Sequence, residues 1–583
     1  MTPFARVTAD LTAALTALTD EGALPALENL DRITVEPPRD PSHGDMASNA
    51  AMVLAKQAKT NPRALAEMVK PKLEELDYVS AVEIAGPGFI NLRFHPSFWQ
   101  DEAKVVLSAG AEYGNSDIGG GAPVNVEYVS ANPTGPMHAA HARGAVVGDA
   151  LANLLDKAGY DVTREYYLND YGNQVEILGR STHLRYREAL GHEVGDVPEG
   201  MYPGDYLKEV GKALAAQEGD RLVDLPEAEW LPLCMDFAIK SMVAEIQEDL
   251  RILGIDHDVW TSEAELHKNG FITNIMDEVK ERGLLYRGVL EPPKGKKPDD
   301  WEPREQTLLK TTEYGDDVDR PMQKSNGNWT YLAADIGYHV DKFRRTGGMM
   351  INILGADHGG YLQRMNPALK AATEGKADLR VVMCQLVKMY DKGEPVRMSK
   401  RAGTFVTLRD VLDAIGKDVM RFIMLTRSTD QSLEFDFAEV TEQTRENPVF
   451  YVQYAHARCC SIIRNAAEQL GADKVTDEAL LNTDLSPLTS EEELGVLKVM
   501  GNWGRLVEQA AEAQEPHRIA FYLRDLASSF HSLWTAGKTD PAKRFLIEDD
   551  EATTLARVAL VRSLSLVIAS GLTVMGVTPV EEL

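Results

Sequence analysis

Apolar and polar positions alternate with three different rhythms along the chain. Near the start, Phe4, Val7, Leu11, Leu15 and Leu18 recur at steps of three and four, which places them on one face of a helix. An extended piece at 33–36 follows and is closed by Pro37 and Pro38. The pattern then predicts a helix over 46–58 and another over 62–76, with Pro62 in a first turn behind Asn61. Residues 79–84 and 89–94 alternate with period two around Gly86-Pro87-Gly88, as two strands do. Residues 1–105 therefore form one α+β unit.

The rhythm changes after the glycines at 119–121. A short apolar strand is predicted at 124–129, a long helix from near His138 to near Gly159, and a further strand at 162–167. Strand, helix, strand in that order predicts an α/β core of Rossmann type, a doubly wound parallel sheet, over 106–410. The sheet pattern returns at 349–354 and 379–383, while 180–250 reads as an acidic helical insertion with no evident site chemistry. Residues 411–446 connect this core to an all-α unit at 447–583.

Composition adds limits. The 583 residues, 44% apolar and 26% charged, are ordinary for soluble globular units, about four of them at ~150 residues each. The four cysteines (Cys234, Cys384, Cys459, Cys460) form no CxxC pair; they read as reduced thiols of a cytoplasmic protein with no structural zinc. The N-terminus lacks a signal-peptide pattern. The longest uncharged run, 563–580, contains serines, threonines and glycines and ends at Gly576 and Pro579, which predicts a packed helix and no membrane span. A net charge of −29 argues by itself against a nucleic-acid partner. Local basic stripes could still hold phosphate: Lys294, Lys296 and Lys297; Lys342, Arg344 and Arg345; and the loop 392–401. Each stripe reads equally as a solvated face.

Two segments carry chemistry. After the apolar strand comes Ser130-Ala131-Asn132-Pro133-Thr134-Gly135-Pro136, then His138-Ala139-Ala140-His141. Three residues apart, His138 and His141 would share one face of a helix's first turn. Backbone N–H groups and the dipole there suit phosphate, and two imidazoles could donate to a triphosphate as charge develops. The string alone is also compatible with two surface histidines; zinc is disfavoured because no third ligand is nearby. Far downstream lies Lys392-Gly393-Glu394-Pro395-Val396-Arg397-Met398-Ser399-Lys400-Arg401. A polar loop with a lysine can stabilise a leaving pyrophosphate, or can be an ordinary basic loop.

Taken together, the two segments resemble the paired ATP motifs of class I aminoacyl-tRNA synthetases, "HIGH" and "KMSKS". The long string around the first, VEYVSANPTGPMHAAHARGAVVGDAL, resembles the arginyl-tRNA synthetase family specifically. Ala140 departs from that family's usual glycine, Arg397 replaces the first lysine of the second motif with its charge kept, and Arg401 stands where serine is common. The resemblance implies that His138, His141 and Lys400 are catalytic. It also implies that Asp357, His358, Met398 and Ser399 join them in binding ATP, with Mg²⁺ arriving with the nucleotide.

The same resemblance assigns arginine binding to Glu127, Ser130, Asn132, Tyr331 and Asp335. A guanidinium needs carboxylates in bidentate reach, and Tyr331 and Asp335 lie four apart on a predicted helix. It further implies tRNA contacts: His43 and Asn49 in the N-terminal unit, and Tyr451, Tyr454, Arg458 and Trp534 in an anticodon-binding helical unit. His456 is a further candidate there. The expected activity is ATP-dependent ligation of L-arginine to its cognate tRNA through arginyl-adenylate, by a cytoplasmic monomer without a membrane. Two other readings stay open: a non-catalytic tRNA-binding paralogue, and an adenylate-forming enzyme independent of tRNA.

Overall fold

The first helix, Pro3–Asp20, begins where Thr2 accepts a hydrogen bond from the Ala5 N–H (3.1 Å), and it buries the predicted Phe4, Val7, Leu11, Leu15 and Leu18. The structure is a computed structural model, and it describes residues 2–290, 304–396, 406–442 and 447–583. The helix packs on a four-stranded antiparallel sheet of β1 (Val35–Glu36), β2 (Met46–Ser48), β3 (Val79–Ala85) and β4 (Phe89–Phe94), ordered β1-β2-β4-β3.

The helix expected over 46–58 is a correction. Residues Met46–Ser48 are a strand, with Met46 opposite Leu92 and Ser48 opposite Val35, and helix exists only over Ala50–Leu54. Local helix propensity yields to strand pairing, because β2 supplies the ladder partner that both β1 and β4 need. The other predicted helix, Pro62–Glu74, is capped by Asn61, which accepts from the Ala64 N–H.

The central sheet contains β5 (Pro123–Glu127), β6 (Asp161–Leu168) and β7 (Val259–Ser262). A small antiparallel sheet of β8 (Leu285–Val289), β9 (Glu305–Leu309) and β10 (Arg320–Pro321) follows in the chain, and β11 (Met349–Gly355) and β12 (Asp378–Cys384) complete the central sheet. Its order is β12-β11-β5-β6-β7, and every pairing is parallel. Winding reverses between β5 and β11, so a crevice opens beyond their carboxyl ends, where open α/β sheets bind ligands. Three further short strands, β13 (Val387–Asp391), β14 (Glu394–Pro395) and β15 (Leu433–Asp436), form a separate sheet beyond the core.

The insertion comprises helices Asn173–Ala189, Tyr206–Glu218 and Glu227–Leu253 with small cores of their own, one around Leu178, Leu207 and Met242. The last unit is helical, its longest members being Pro448–Leu470, His517–Thr539 and Glu551–Val574. The last of these is long and apolar enough to cross a membrane, but 78% of its apolar window is buried inside the protein.

Arg421, on helix Lys417–Met424, joins this unit to the core. It is wholly buried, donates to the carbonyls of Met575 (2.7 Å) and Leu253 (3.1 Å), and pairs with Asp149. Gly576 has φ +66, and a Cβ there would lie 2.2 Å from the guanidinium, so only glycine fits this junction.

The stripe Lys342, Arg344 and Arg345 is also corrected. Lys342 is fully buried and bound to Glu127; Arg344 pairs with Glu278, and Arg345 with Glu165 and Asp341. The neighbouring acids consume this charge, so the stripe presents no open basic face. Residues 294–297 and 397–401 lie outside the described residues.

Candidate active site

β5 delivers Glu127 to the crevice, and the chain then turns sharply. Val129 and Ser130 have φ of +70 and +41; a β-branched residue in the left-handed region is uncommon, and such strain costs roughly 1–3 kcal/mol per residue. Several contacts hold the turn. Ser130 Oγ donates to Glu127 Oε1 (3.0 Å) and accepts from the Tyr167 N–H (3.0 Å). Tyr166 Oη donates to the Ala131 carbonyl (2.8 Å), and Tyr206 Oη donates to that of Thr134 (2.6 Å). Tyr206 comes from the insertion, which therefore supports the site that the sequence reading kept apart from it.

The helix after this loop is His141–Lys157, three residues later than expected. His138 lies in the turn before it, because residues 137–139 pair with the segment entering helix Leu408–Ile415. The Ala139 N–H donates to Val406 (3.1 Å), the Leu408 N–H donates to Met137 (2.8 Å), and His138 bridges to Thr407. The two histidines thus do not share a helical face; their rings stand 6.3 Å apart and nearly perpendicular. Ring Nδ1 of His138 accepts from the Ala140 N–H (3.0 Å), and Nδ1 of His141 accepts from the His138 N–H (3.1 Å). Each neutral ring therefore carries its proton on Nε2. Ala140 itself is exposed at the helix entrance.

A cleft of about 690 Å³ opens at the switch point, and Glu127, Ser130, Asn132, His141, Asp335, Asp357 and His358 all line it. His138 is buried and does not reach its lining. Tyr331 stands one turn before Asp335 on helix Tyr331–Thr346, but it is 80% exposed under Lys324 Nζ (4.7 Å from the ring centroid) and outside the lining. Asn132 donates to Gln174 Oε1 (3.1 Å), while Asp357 and His358 are exposed on a 3₁₀ turn that continues β11. Met398, Ser399 and Lys400 lie outside the described residues.

The floor of the cleft is a fully connected polar network. Glu127 Oε2 accepts from Lys342 Nζ (2.6 Å) and Tyr338 Oη (3.0 Å). Lys342 also donates to Asn352 Oδ1 (2.9 Å), which leaves the Asn352 amide nitrogen to donate to His339 Nε2 (2.9 Å). His339 is then the Nδ1–H tautomer, donating to the Asp335 backbone carbonyl (2.9 Å). Burial, with Lys342 nearby, holds its pKa at about 3, so it is neutral.

The Asp335 carboxylate differs from the others: it accepts no hydrogen bond and joins no ion pair among the described residues. Burial, then the charges of Glu127 and Glu263, push its pKa up to about 7. A cation entering the cleft would supply what it lacks.

The remaining candidates lie far from the cleft. His43 is exposed on a 3₁₀ turn; Asn49 Oδ1 accepts from the Thr34 N–H (2.8 Å), a structural bond within the N-terminal unit. Tyr454, Arg458 and Trp534 form one stack, with the Arg458 guanidinium 3.9 Å from the Tyr454 ring centroid and 4.7 Å from that of Trp534. Tyr451 lines a second hollow with Arg427 and Arg524. His456 is buried, with Nδ1 on the Val580 carbonyl (2.8 Å), so it faces the core and not a partner.

Sequence reasoning missed Tyr167, Tyr202, Tyr206, Tyr338, His339, Asn352 and Tyr361, which also line the cleft. Tyr338 and Lys342 follow Asp335 at helical steps of three and seven, a signal that was available. The aromatic turn at 202–206 gave none, because its insertion folds back over the cleft only in three dimensions.

Three family models together match most of the chain. Residues 5–94 match the arginyl tRNA synthetase N-terminal domain, 104–444 the catalytic domain of class I (R) tRNA synthetases, and 452–583 the DALR anticodon binding domain. The arginine–tRNA ligase of Parvibaculum lavamentivorans is 55% identical over 98% of both chains, and that of Cereibacter sphaeroides (strain ATCC 17029) is 53% identical over the whole of both. The Thermus thermophilus arginyl-tRNA synthetase structure shares the fold, with a TM-score of 0.67 at 21% identity over 98% of this chain and 99% of that one.

Proposed function

The chain belongs to the arginyl-tRNA synthetases, class I enzymes that join arginine to tRNA with ATP, and from that premise we propose how its side chains divide the work. The observation that carries the assignment is Asp335, a carboxylate without a partner among the described residues, in a cleft whose buried acid, Glu127, is already held by three donors. The arginine guanidinium docks on Asp335, and Glu127, Ser130 and Asn132 hold its α-amino end. Tyr331 belongs to the same subsite by family resemblance alone, its exposed ring lying one turn before Asp335.

ATP lies across the turn 129–136 and the N-terminus of helix His141–Lys157, with Asp357 and His358 on the adenosine side. An arginine carboxylate oxygen attacks the α-phosphorus, the bond to the bridging oxygen breaks, and pyrophosphate leaves. The Nε2–H of His141 donates to the phosphoryl oxygens as charge grows. His138 shapes the turn that presents it and, with Lys400, Met398 and Ser399, completes the ATP site. A ribose hydroxyl of the tRNA end then attacks the arginyl carbonyl and AMP leaves.

Mg²⁺ enters with the nucleotide, held by its phosphates and water. Residues 1–105 and 447–583 contact the cognate tRNA, the Tyr454–Arg458–Trp534 stack offering a face for an unstacked base. The enzyme works as a cytoplasmic monomer.

The test is Asp335→Asn in arginine-dependent ATP–pyrophosphate exchange with tRNA present. KM for arginine is expected to rise at least ~100-fold with KM for ATP nearly unchanged, as for loss of a charged partner worth about 3 kcal/mol. Unchanged arginine KM would remove Asp335 from the pocket.

A further inference from the structure

Helix Tyr331–Thr346 presents two groups of opposite charge to the cleft floor, Asp335 and, two turns on, Lys342. Lys342 is 0% exposed, and its ammonium lies 2.6 Å from Glu127 and 2.9 Å from Asn352 Oδ1. Burying an ammonium is costly in desolvation, and its bonds to Glu127 and Asn352 offset that cost. We propose that Lys342 is a specificity-determining positioning residue: by cancelling Glu127, it leaves Asp335 as the counter-charge that the substrate side chain meets. The inference rests on the arginine subsite proposed above and extends it to a residue that need not touch substrate.

The charge count around Asp335 supports this reading. From β5 it faces Glu127, and from the helix Glu263–Lys268 it faces Glu263, which Tyr167 of β6 hydrogen-bonds. From helix Tyr361–Thr373 come Arg364 and the Tyr361 phenol. Its own helix adds Lys342, the Tyr338 phenol and the neutral ring of His339. The two cations favour the ionised carboxylate, and Lys342 is the buried one, whereas Arg364 is exposed at the helix start. Without the Lys342 charge, two uncompensated carboxylates would share the floor and one would take a proton. Glu127 would keep the donors Tyr338 and Ser130 and stay ionised, so the proton would settle on Asp335, and the carboxylate that meets the substrate would bind a cationic side chain only at higher pH, where it ionises.

The experiment measures KM for arginine and for ATP from pH 6 to 9, by pyrophosphate exchange with tRNA, for wild type, Lys342→Met and the double variant Glu127→Gln/Lys342→Met. Wild type is expected to show the arginine KM levelling off above pH ~7. In Lys342→Met that bend should move up by at least one unit, raising arginine KM about tenfold at pH 7 and less at pH 9, with ATP KM within about twofold. The double variant, with neither charge, should return the bend toward the wild-type position whatever its absolute KM; if Lys342→Met does not fold, Glu127→Gln, which leaves the Lys342 charge uncancelled, should move the bend down instead. A bend that stays in place in the single variant, or one that the double variant fails to restore, would overturn the charge-balancing role. Wild type without any arginine-dependent exchange would instead overturn the subsite reading on which it rests.

Discussion

At the scale of single residues, the site is set by which acids already have partners. Glu127 is satisfied by Lys342, Tyr338 and Ser130, while the Asp335 carboxylate has no hydrogen-bond or ion-pair partner among the described residues. Its folded pKa of about 7 exceeds the ordinary carboxyl value near 4, so the native state holds this proton more tightly than the unfolded one. The stability so gained is full below pH ~4 and lost as pH rises through ~7. Calorimetry should therefore show Asp335→Asn gaining melting temperature relative to wild type as pH goes from 5 to 8, even as the variant loses arginine activation. A constant difference would contradict the assigned pKa. For His141, the Nε2–H tautomer predicts that His141→Ala lowers kcat/KM for ATP by about 10²–10³. Gln at 141, whose amide can place an N–H near Nε2, should recover part of the loss in the same steady-state assay.

At the scale of elements, the strands that build the crevice were legible because β5, β11 and β12 hold short apolar stretches between turn residues, and β6 follows the helix after Gly159 in strand–helix–strand order. Boundaries were less so. Residues Met46–Ser48 look helical locally, and their strand follows only from partners at 35–36 and 90–92. His138 looked like a helix residue until its pairing with Thr407, far along the chain, drew it out. Long-range pairing of this kind leaves no local trace. The same holds at the junction around Arg421, which ties Asp149, Leu253 and Met575. Removing one member of a buried pair leaves its partner unpaired, so Arg421→Met should cost about 3–5 kcal/mol in chemical unfolding. Gly576→Ala should destabilise as well, through both its φ and the clash. Either variant unfolding like wild type would show that the junction contributes little.

At the scale of the molecule, the two ends of the chain meet. Asp45 pairs with Lys498 (2.6 Å), Glu36 with Arg505 (3.0 Å), and Gln100 donates to the Leu488 carbonyl (2.9 Å). The order of the three units could be read from the sequence, but their docking could not, because it rests on apolar packing between segments far apart in the chain, Phe98 and Trp99 with Leu497 and Met500 among them, and on a few polar contacts. A chain of net charge −29 must bind its RNA through local basic and aromatic positions. Affinity for tRNA should accordingly fall with salt, with a log–log slope of about −3 or steeper if a handful of phosphates are contacted. A flat salt dependence in filter binding would contradict phosphate-led recognition.

In the proposed function one cleft, formed by β5, β11 and the helix bearing Asp335, activates arginine with ATP. ATP–pyrophosphate exchange with arginine, run with and without total bacterial tRNA, tests it most directly. Exchange that depends on arginine and appears only when tRNA is added is the expected result. A folded protein that gives no arginine-dependent exchange under either condition would contradict it.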